Sequence, residues 1–247
     1  MSGHSKWANI QHRKGRQDAK RSNLWTKLVR EIIVAARVGG GGDPDMNSRL
    51  RLAVLKAREG NVPKDTINNA ILKGTGQLEG VSYEEVRYEG YGVGGAALII
   101  DCTTDNRVRT VADVRHYFDK YGAGLGNAGC VSWQFEQKGV LIIERGDLDE
   151  DETMMTVLDA GADDFQADED CFQIYTAPED FSAVRDALTE AGFEFAQAEI
   201  QMVPQNTITL ESQEDMAQLR KLLDSLEDND DVQHVWHNWE NEDDYEE

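Results

Sequence analysis

Positively charged side chains and aromatic rings are concentrated near the start of this chain. Between Gly3 and Arg37 stand nine Lys or Arg residues and only two acids, Asp18 and Glu31. Dense cations suit the phosphate oxygens of a nucleic acid, and rings between them can stack on its bases. The residues that this pattern predicts to bind nucleic acid are His4, Lys6, Trp7, His12, Arg13, Lys14, Arg16, Lys20, Arg21, Lys27 and Arg30.

A helix is the element that would position most of these cations. On a helical wheel with about 100° per residue, one arc carries Arg16, Lys20, Lys27, Arg30 and Arg37, and the opposite arc carries Trp25, Leu28, Val29, Ile32 and Ala36. The pattern predicts a helix that packs by one face and presents cations outward by the other. The alternative is an ordinary solvated helix surface. Acids four residues away are nearly absent, so local neutralisation is weak and nucleic-acid contact is favoured.

The distribution of charge along the chain favours the same interpretation. The 247 residues carry a formal net charge of -22, but residues 1–80 are net +8 and the remainder is net -30. A uniformly acidic protein would repel a polyanion. Here the basic N-terminal part can meet a nucleic acid, while the acidic part points away from it or faces a basic partner.

Arg107 and Arg109 form a second candidate contact. They follow Thr104, Asp105 and Asn106, where a predicted strand gives way to a predicted helix. Most such segments simply cap the helix. Two guanidinium groups beside a helix N-terminus can also hold a phosphate or a carboxylate, and this is the less favoured interpretation.

No arrangement of residues predicts catalysis or a metal site. Cys102, Cys130 and Cys171 form no CxxC pair, and His234 and His237 stand three apart in a predicted strand, which places them on opposite faces. No Ser-His-Asp or Cys-His set stands out. We therefore expect no enzyme activity, no catalytic residues, no metal, no cofactor and no small-molecule substrate.

Hydropathy and cysteine usage predict a cytoplasmic protein. No window approaches the roughly 18 apolar residues that a membrane span needs, and unpaired cysteines suit a reducing compartment. The expected partner is a nucleic acid, either DNA or ribosomal RNA, and in the second case the ribosome. No membrane partner is expected.

Residues 1–80 are predicted to form a small helical module. Its first helix ends in the glycine run at 39–42, its second spans about residues 47–59, and its third begins after Pro63 and ends at Gly74. Glycine after a helix and proline at its first position are typical boundary signals. The basic residues therefore belong to a compact helical unit.

The periodicity then changes to that of mixed strands and helices. Residues 139–202 predict the order β-α-β-β-α-β, the split βαβ (ferredoxin-like) unit of an antiparallel sheet with two helices. A β-α-β segment at 96–135, with its second strand expected at 131–135, and another at 207–239, with its first strand expected at 207–210, would complete a second such unit around the first. The predicted fold class is α+β with three domains: helical residues 1–80, a discontinuous α+β domain of residues 81–136 and 203–247, and an inserted α+β domain of residues 137–202.

Four long blocks of this sequence resemble one known family. They are GHSKWANIQHRKGRQDAKR with LWTKLVREI at 3–32, GGDPDMNSRLRLAVLKAREGNVPKDTINNAILKGTG at 41–76, YEGYGVGGAALIIDCTTDNRVRT at 88–110, and VRHYFDKYGAGLGNAGCVSWQF at 114–135. Over its whole length the chain is similar to the YebC family of bacteria, whose mitochondrial relatives are translational activators of cytochrome c oxidase. The resemblance implies a helical domain followed by two α+β domains, the middle one interrupted by the last.

The same resemblance implies a cytoplasmic protein without known catalysis and leaves two functions open. Family members are described as "probable transcriptional regulatory" proteins that bind DNA. Others are linked to translation, as ribosome-associated, rRNA-binding factors that relieve stalling. Both functions would place the basic N-terminal part on a sugar-phosphate backbone.

Overall fold

A computed structural model describes residues 21–245 of the chain, except for the side chains of Arg21 and Ser22. It is a mixed α+β structure in which an N-terminal helical region precedes two antiparallel sheets of four strands each. The predicted fold class is therefore confirmed. The second sheet is formed entirely by chain that lies between two strands of the first, so the expected nesting is present.

The helices and strands of the described residues are numbered in chain order. The helices are α1 (Arg21–Val38), α2 (Ser48–Glu59), α3 (Lys64–Gly74), α4 (Arg107–Lys120), α5 (Glu150–Asp159), α6 (Phe181–Glu190) and α7 (Gln213–Glu227). The strands are β1 (Glu84–Tyr91), β2 (Ala97–Thr104), β3 (Gly124–Leu125), β4 (Phe135–Glu144), β5 (Asp164–Ala167), β6 (Cys171–Thr176), β7 (Gln197–Pro204) and β8 (Val232–His237).

The three N-terminal helices share an apolar core. Ile32 of α1, Leu50 of α2 and Ile67 of α3 are all buried in it. Helix α3 lies close against α1 at Gly74, where an added Cβ would lie 2.4 Å from the carbonyl oxygen of Ile33. A contact this close requires a residue without a side chain.

Asn47 fixes the joint between α1 and α2. Its side-chain oxygen accepts a hydrogen bond from the backbone N–H of Leu50 at 3.0 Å, which caps α2. Its side-chain amide donates to the carbonyl oxygens of Ala35 and Gly41, both at 2.9 Å. One buried residue therefore holds the end of α1, the glycine run and the start of α2 together.

The first sheet has the strand order β3-β1-β2-β8 and is antiparallel throughout. Strands β1 and β2 form a hairpin that is paired from Glu84 and Thr104 to Tyr91 and Ala97. Strand β1 lies between β2 and β3, which α4 connects, so the arrangement is a split βαβ. Helix α7 leads into β8, which pairs with the other side of β2.

The second sheet has the strand order β5-β6-β4-β7 and is also antiparallel. Helix α5 connects β4 to β5 with β6 between them, and α6 connects β6 to β7 with β4 between them. This is the complete split βαβ predicted for residues 139–202. Its first strand begins earlier than expected, because Phe135 already pairs with Pro204 of β7.

Two expected strands of the first sheet are wrong. Residues 131–135 do not form a strand of it: Ser132–Gln134 is a 3-10 turn, and Phe135 begins β4. Residues 207–210 make a single bridge, between Ile208 and Trp239. The places of these two strands are taken by β1, which forms a hairpin with β2, and by the two-residue strand β3, which pairs with β1.

The described residues fall into two compact units. One contains residues 21–131 and 214–237, and therefore both the helical region and the first sheet; the other contains residues 132–213 and 238–245, and the second sheet. The finer division into domains of residues 1–80, 81–136 with 203–247, and 137–202 stays a prediction.

Candidate nucleic-acid interface

Most of the predicted contact residues precede the described part of the chain. Outside the described residues lie His4, Lys6, Trp7, His12, Arg13, Lys14, Arg16 and Lys20. The side chain of Arg21 lies outside them as well. Their contact with nucleic acid stays a prediction. The described part of the chain contains Lys27, Arg30, Arg107 and Arg109.

Lys27 on α1 contacts the protein's own acidic loop. Its ammonium nitrogen donates to the carbonyl oxygen of Glu227 at 2.6 Å. Burial lowers the pKa of Lys27 below its ordinary value, although the carboxylates of Glu227, Asp230 and Asp228 act in the opposite direction. This cation therefore serves the attachment of α1 to the end of α7.

Arg30, one helical turn further on, contacts the same loop. Its Nη1 donates to Asp231 Oδ1 at 2.7 Å and to the carbonyl oxygens of Asp230 at 2.7 Å and Thr103 at 3.3 Å. Its guanidinium also lies over the ring of Tyr83, with the guanidinium carbon 5.1 Å from the ring centroid. Only 13% of the Arg30 side chain is exposed.

Asp231 is the acceptor on which this arrangement depends. Besides Arg30, its carboxylate accepts from Arg109 Nη2 at 2.7 Å, from Thr110 Oγ1 at 2.8 Å and from Thr104 Oγ1 at 3.3 Å. Burial alone would raise the pKa of Asp231, but the hydrogen bonds from Arg109, Thr110 and Arg30 outweigh it and hold the pKa below its ordinary value. The carboxylate is therefore ionised at neutral pH and joins α1, α4 and the start of β8.

Arg107 and Arg109 occupy the first turn of α4. Asn106 caps this helix, in agreement with the favoured interpretation. Its side-chain oxygen accepts a hydrogen bond from the backbone N–H of Arg109 at 3.1 Å. Arg109 is itself held by Asp231 and by Asp105, the latter at 2.7 Å. The Nη1 of Arg107 lies 3.7 Å from Oε2 of Glu84, and 62% of the Arg107 side chain is exposed.

The expectation that the cationic face of α1 points outward is wrong for Lys27 and Arg30. Both turn toward carbonyl and carboxylate oxygens of the loop before β8. Sequence reasoning also missed Asp231, because it ends an acidic run, Glu227 to Asp231, and such runs are typical of a solvated surface. The available signal was its position directly before the apolar strand residue Val232.

Other cations of the helical region remain on the surface. Arg58 at the end of α2 and Lys64 and Lys73 on α3 are all exposed. Arg37 is also exposed and donates to the hydroxyl of Ser82 at 2.6 Å. The described part of the basic region thus combines cations that hold the fold with cations that face solvent.

Within residues 21–245, no group of His, Cys, Asp and Glu side chains could hold a metal ion. Burial raises the pKa of the Cys102 thiol to about 12, so this thiol is protonated at neutral pH.

Among the described helices, none combines the length and the apolar composition that a membrane crossing requires.

Two family models match almost the whole chain. The model described as "TACO1/YebC protein N-terminal domain" matches residues 5–77, and the model described as "TACO1/YebC second and third domain" matches residues 83–239. The chain belongs to the TACO1/YebC family. The resemblance found in the four sequence blocks is therefore confirmed.

Relatives in this family are similar over nearly their full length. A "probable transcriptional regulatory protein" of Acidovorax sp. (strain JS42) is 58% identical over 229 residues, which cover 92% of this chain and 95% of the relative. One with the same name from Clostridium tetani is 54% identical and covers 93% of each chain. The crystal structure of a conserved hypothetical protein from Aquifex aeolicus matches with a TM-score of 0.82 at 44% identity, over 90% of this chain and 91% of that one. The names of the two relatives describe regulators rather than enzymes.

Proposed function

We propose that this TACO1/YebC family member is a cytoplasmic, non-enzymatic regulator of transcription that binds DNA through its basic N-terminal part. The observation that carries the proposal is the concentration of cations between Gly3 and Arg37 in a chain whose net charge is -22. Phosphate contacts supply most of the affinity of such proteins for duplex DNA. The names of the relatives, which describe probable transcriptional regulators, agree with this function.

The cations of the N-terminal part would have two different tasks. Lys27 and Arg30 already donate to protein oxygens, so a phosphate would have to displace these bonds. We therefore propose that these two residues hold α1 in place. Direct contact then falls to the residues from His4 to Arg21, with Arg107 as an exposed addition on α4.

The decisive experiment compares two variants of equal net charge. In the first, Lys6, Arg13, Lys14 and Lys20 are replaced by Ala. In the second, the same number of cations is removed outside residues 1–80, at Arg115, Lys120, Lys138 and Lys221. Binding to a random-sequence duplex is measured by fluorescence anisotropy at several salt concentrations.

The first variant should bind more weakly, and the slope of log affinity against log salt should fall by about 3, since each lost phosphate contact removes roughly 0.7–0.9. The second variant should keep the slope of the unaltered protein. Equal losses in both variants would show that net charge alone matters, and unchanged binding in both would remove the basis of the proposal.

The same cations could contact ribosomal RNA, the alternative that the sequence left open. Cosedimentation with ribosomes, carried out with the same two variants, distinguishes the targets. Tight ribosome association that is lost in the first variant, together with weak duplex binding, would replace DNA by rRNA in the proposal.

A further inference from the structure

Helix α5 carries an exposed row of large apolar side chains. Met155 is 61% exposed, Leu158 46%, Leu148 39% and Met154 36%. We call these four residues the α5 apolar strip. Large exposed apolar side chains that stand together, with a polar border, are typical of interaction sites, whereas isolated ones are ordinary.

Helical spacing brings three of the four side chains together. Leu158 follows Met154 by four residues and Met155 by three, so the three side chains are neighbours on one face. Leu148 stands directly before the N-cap residue Asp149, whose side chain accepts from the backbone N–H of Glu152 at 3.0 Å. The buried side of α5 is different and carries Thr153 and Val157, so the strip is not needed for the core.

The border of the strip is acidic. Helix α5 has the sequence EDETMMTVLD, which contains four acids and no Lys or Arg. Of these four acids, the only one that Arg145 pairs with is Glu150, at 2.9 Å. Among the ion pairs between described residues, none involves Asp151, Glu152 or Asp159. The apolar side chains therefore stand among carboxylates, three of which have no ion pair with another described residue.

We propose that the α5 apolar strip is a docking surface for a cationic amphipathic helix of a partner protein. Two or three apolar side chains of that helix, spaced three and four residues apart, would cover Met154, Met155 and Leu158. Its flanking Lys and Arg residues would face Asp151, Glu152 and Asp159. The flexible thioethers of methionine adapt readily to such a partner.

The charge of the border decides against other occupants. Anionic lipid and nucleic-acid phosphates would both be repelled by the carboxylates. Two copies of the strip facing each other would bring like charges together. The proposal is independent of the proposed DNA contact, because no residue of the strip or of its acidic border is among the cations to which that contact is assigned.

The test uses the full chain and a defined probe. The probe is a fluorescein-labelled helical peptide made of Leu and Lys, with Leu at the positions of one face. A scrambled peptide of the same composition controls for attraction to an acidic protein. Affinity is measured by anisotropy for the unaltered protein, for M155Q/L158Q, for D151N/E152Q/D159N and for V108Q, a control that changes an apolar residue 78% exposed on α4.

The amphipathic peptide should bind more tightly than the scrambled one. The M155Q/L158Q substitutions should reduce the affinity for the amphipathic peptide about tenfold or more. The triple carboxylate variant should weaken binding and reduce its salt dependence, whereas V108Q should change neither. Equal binding of both peptides, or unchanged affinity in M155Q/L158Q, would overturn the proposal. So would binding of vesicles of phosphatidylglycerol through the strip, or a concentration-dependent dimer that M155Q/L158Q abolishes in light scattering.

Discussion

Asp231 shows how a single carboxylate can connect distant parts of this chain. It accepts hydrogen bonds from Arg30, Arg109, Thr104 and Thr110, and it is only 3% exposed. A buried acid is stable in this state only because two guanidinium groups and two hydroxyls replace the lost water. Attachment of α1 to the first sheet therefore depends strongly on this residue.

Replacing Asp231 with Asn should destabilise the protein by about 3 kcal/mol, since two guanidinium groups would lose their carboxylate partner. Urea unfolding followed by circular dichroism measures the change. The neighbouring Asp230→Asn is the control, because the exposed side chain of Asp230 does not take part and a surface change costs about 0.5 kcal/mol or less. Similar losses in both variants would contradict the role given to Asp231.

The contribution of Asp231 should also depend on pH. Its pKa is held below the ordinary value of 3.8 in the folded protein. A lowered pKa contributes stability that is complete above the unfolded value and is lost as the pH falls through the folded one. The difference in unfolding free energy between the unaltered protein and Asp231→Asn should thus be constant from pH 7 to about 5 and shrink below about 4. A difference that stays the same at low pH would show that ionisation is not its source.

The sequence could not identify Asp231 as a site residue for a physical reason. Its partners Arg30 and Arg109 are separated from it by 201 and 122 positions. Local patterns report which face of a helix is polar, and the wheel correctly separated Leu28 and Ile32 from Lys27 and Arg30 on α1. They do not report whether the polar face meets solvent or another part of the protein.

At the scale of elements, the packing of α1 on α3 depends on Gly74. An added Cβ would lie 2.4 Å from the carbonyl oxygen of Ile33 and 2.7 Å from the Cβ of Ala36. Both atoms belong to the rigid part of α1, so neither can move away alone. The two helices would have to separate.

Gly74→Ala should therefore destabilise the protein by about 1–3 kcal/mol, although Ala is the better helix former. Asn69→Ala, at an exposed position of the same helix, is the matched control and should be neutral or slightly stabilising. Thermal unfolding of both variants measures the difference. A stabilised Gly74→Ala protein would mean that helix propensity outweighs the close contact.

The elements themselves were predictable to different degrees. The helices and the second sheet follow from periodicity and from glycine and proline positions, which act over a few residues. The two wrong strands, at 131–135 and 207–210, lie where pairing depends on distant chain. For example, the backbone of Leu210 is satisfied by the side chain of Asn241, which both donates to its carbonyl and accepts from its N–H at 2.9 Å. A side chain can thus satisfy backbone groups that would otherwise pair in a β-ladder. The alternation of apolar and polar residues gives no sign of this.

At the scale of the molecule, the second sheet is a contiguous segment set into a longer one. Its strands all lie between Phe135 and Pro204, and these two residues pair with each other. Its core includes Leu141, Phe172 and Leu188, which are fully buried. The two ends of this segment therefore lie beside each other, and the segment has a hydrophobic core of its own.

A fragment of residues 132–206 should therefore fold alone and unfold cooperatively in urea. Circular dichroism of the fragment, beside the same fragment with Phe172→Ala, measures this. The substitution should cost about 3–5 kcal/mol. A fragment without a cooperative transition would mean that the segment needs the rest of the chain, and would count against the predicted inserted domain.

The pairing of Phe135 with Pro204 has a mechanical consequence. Because β4 enters the second sheet beside the point where β7 leaves it, tension applied to both ends of the segment acts on the first rungs of one antiparallel ladder. Under this tension the hydrogen bonds of the ladder break one after another from the loaded end, rather than all at once in shear. In an optical trap, this segment should therefore unfold at a lower force than a domain of similar size whose terminal strands are loaded in shear.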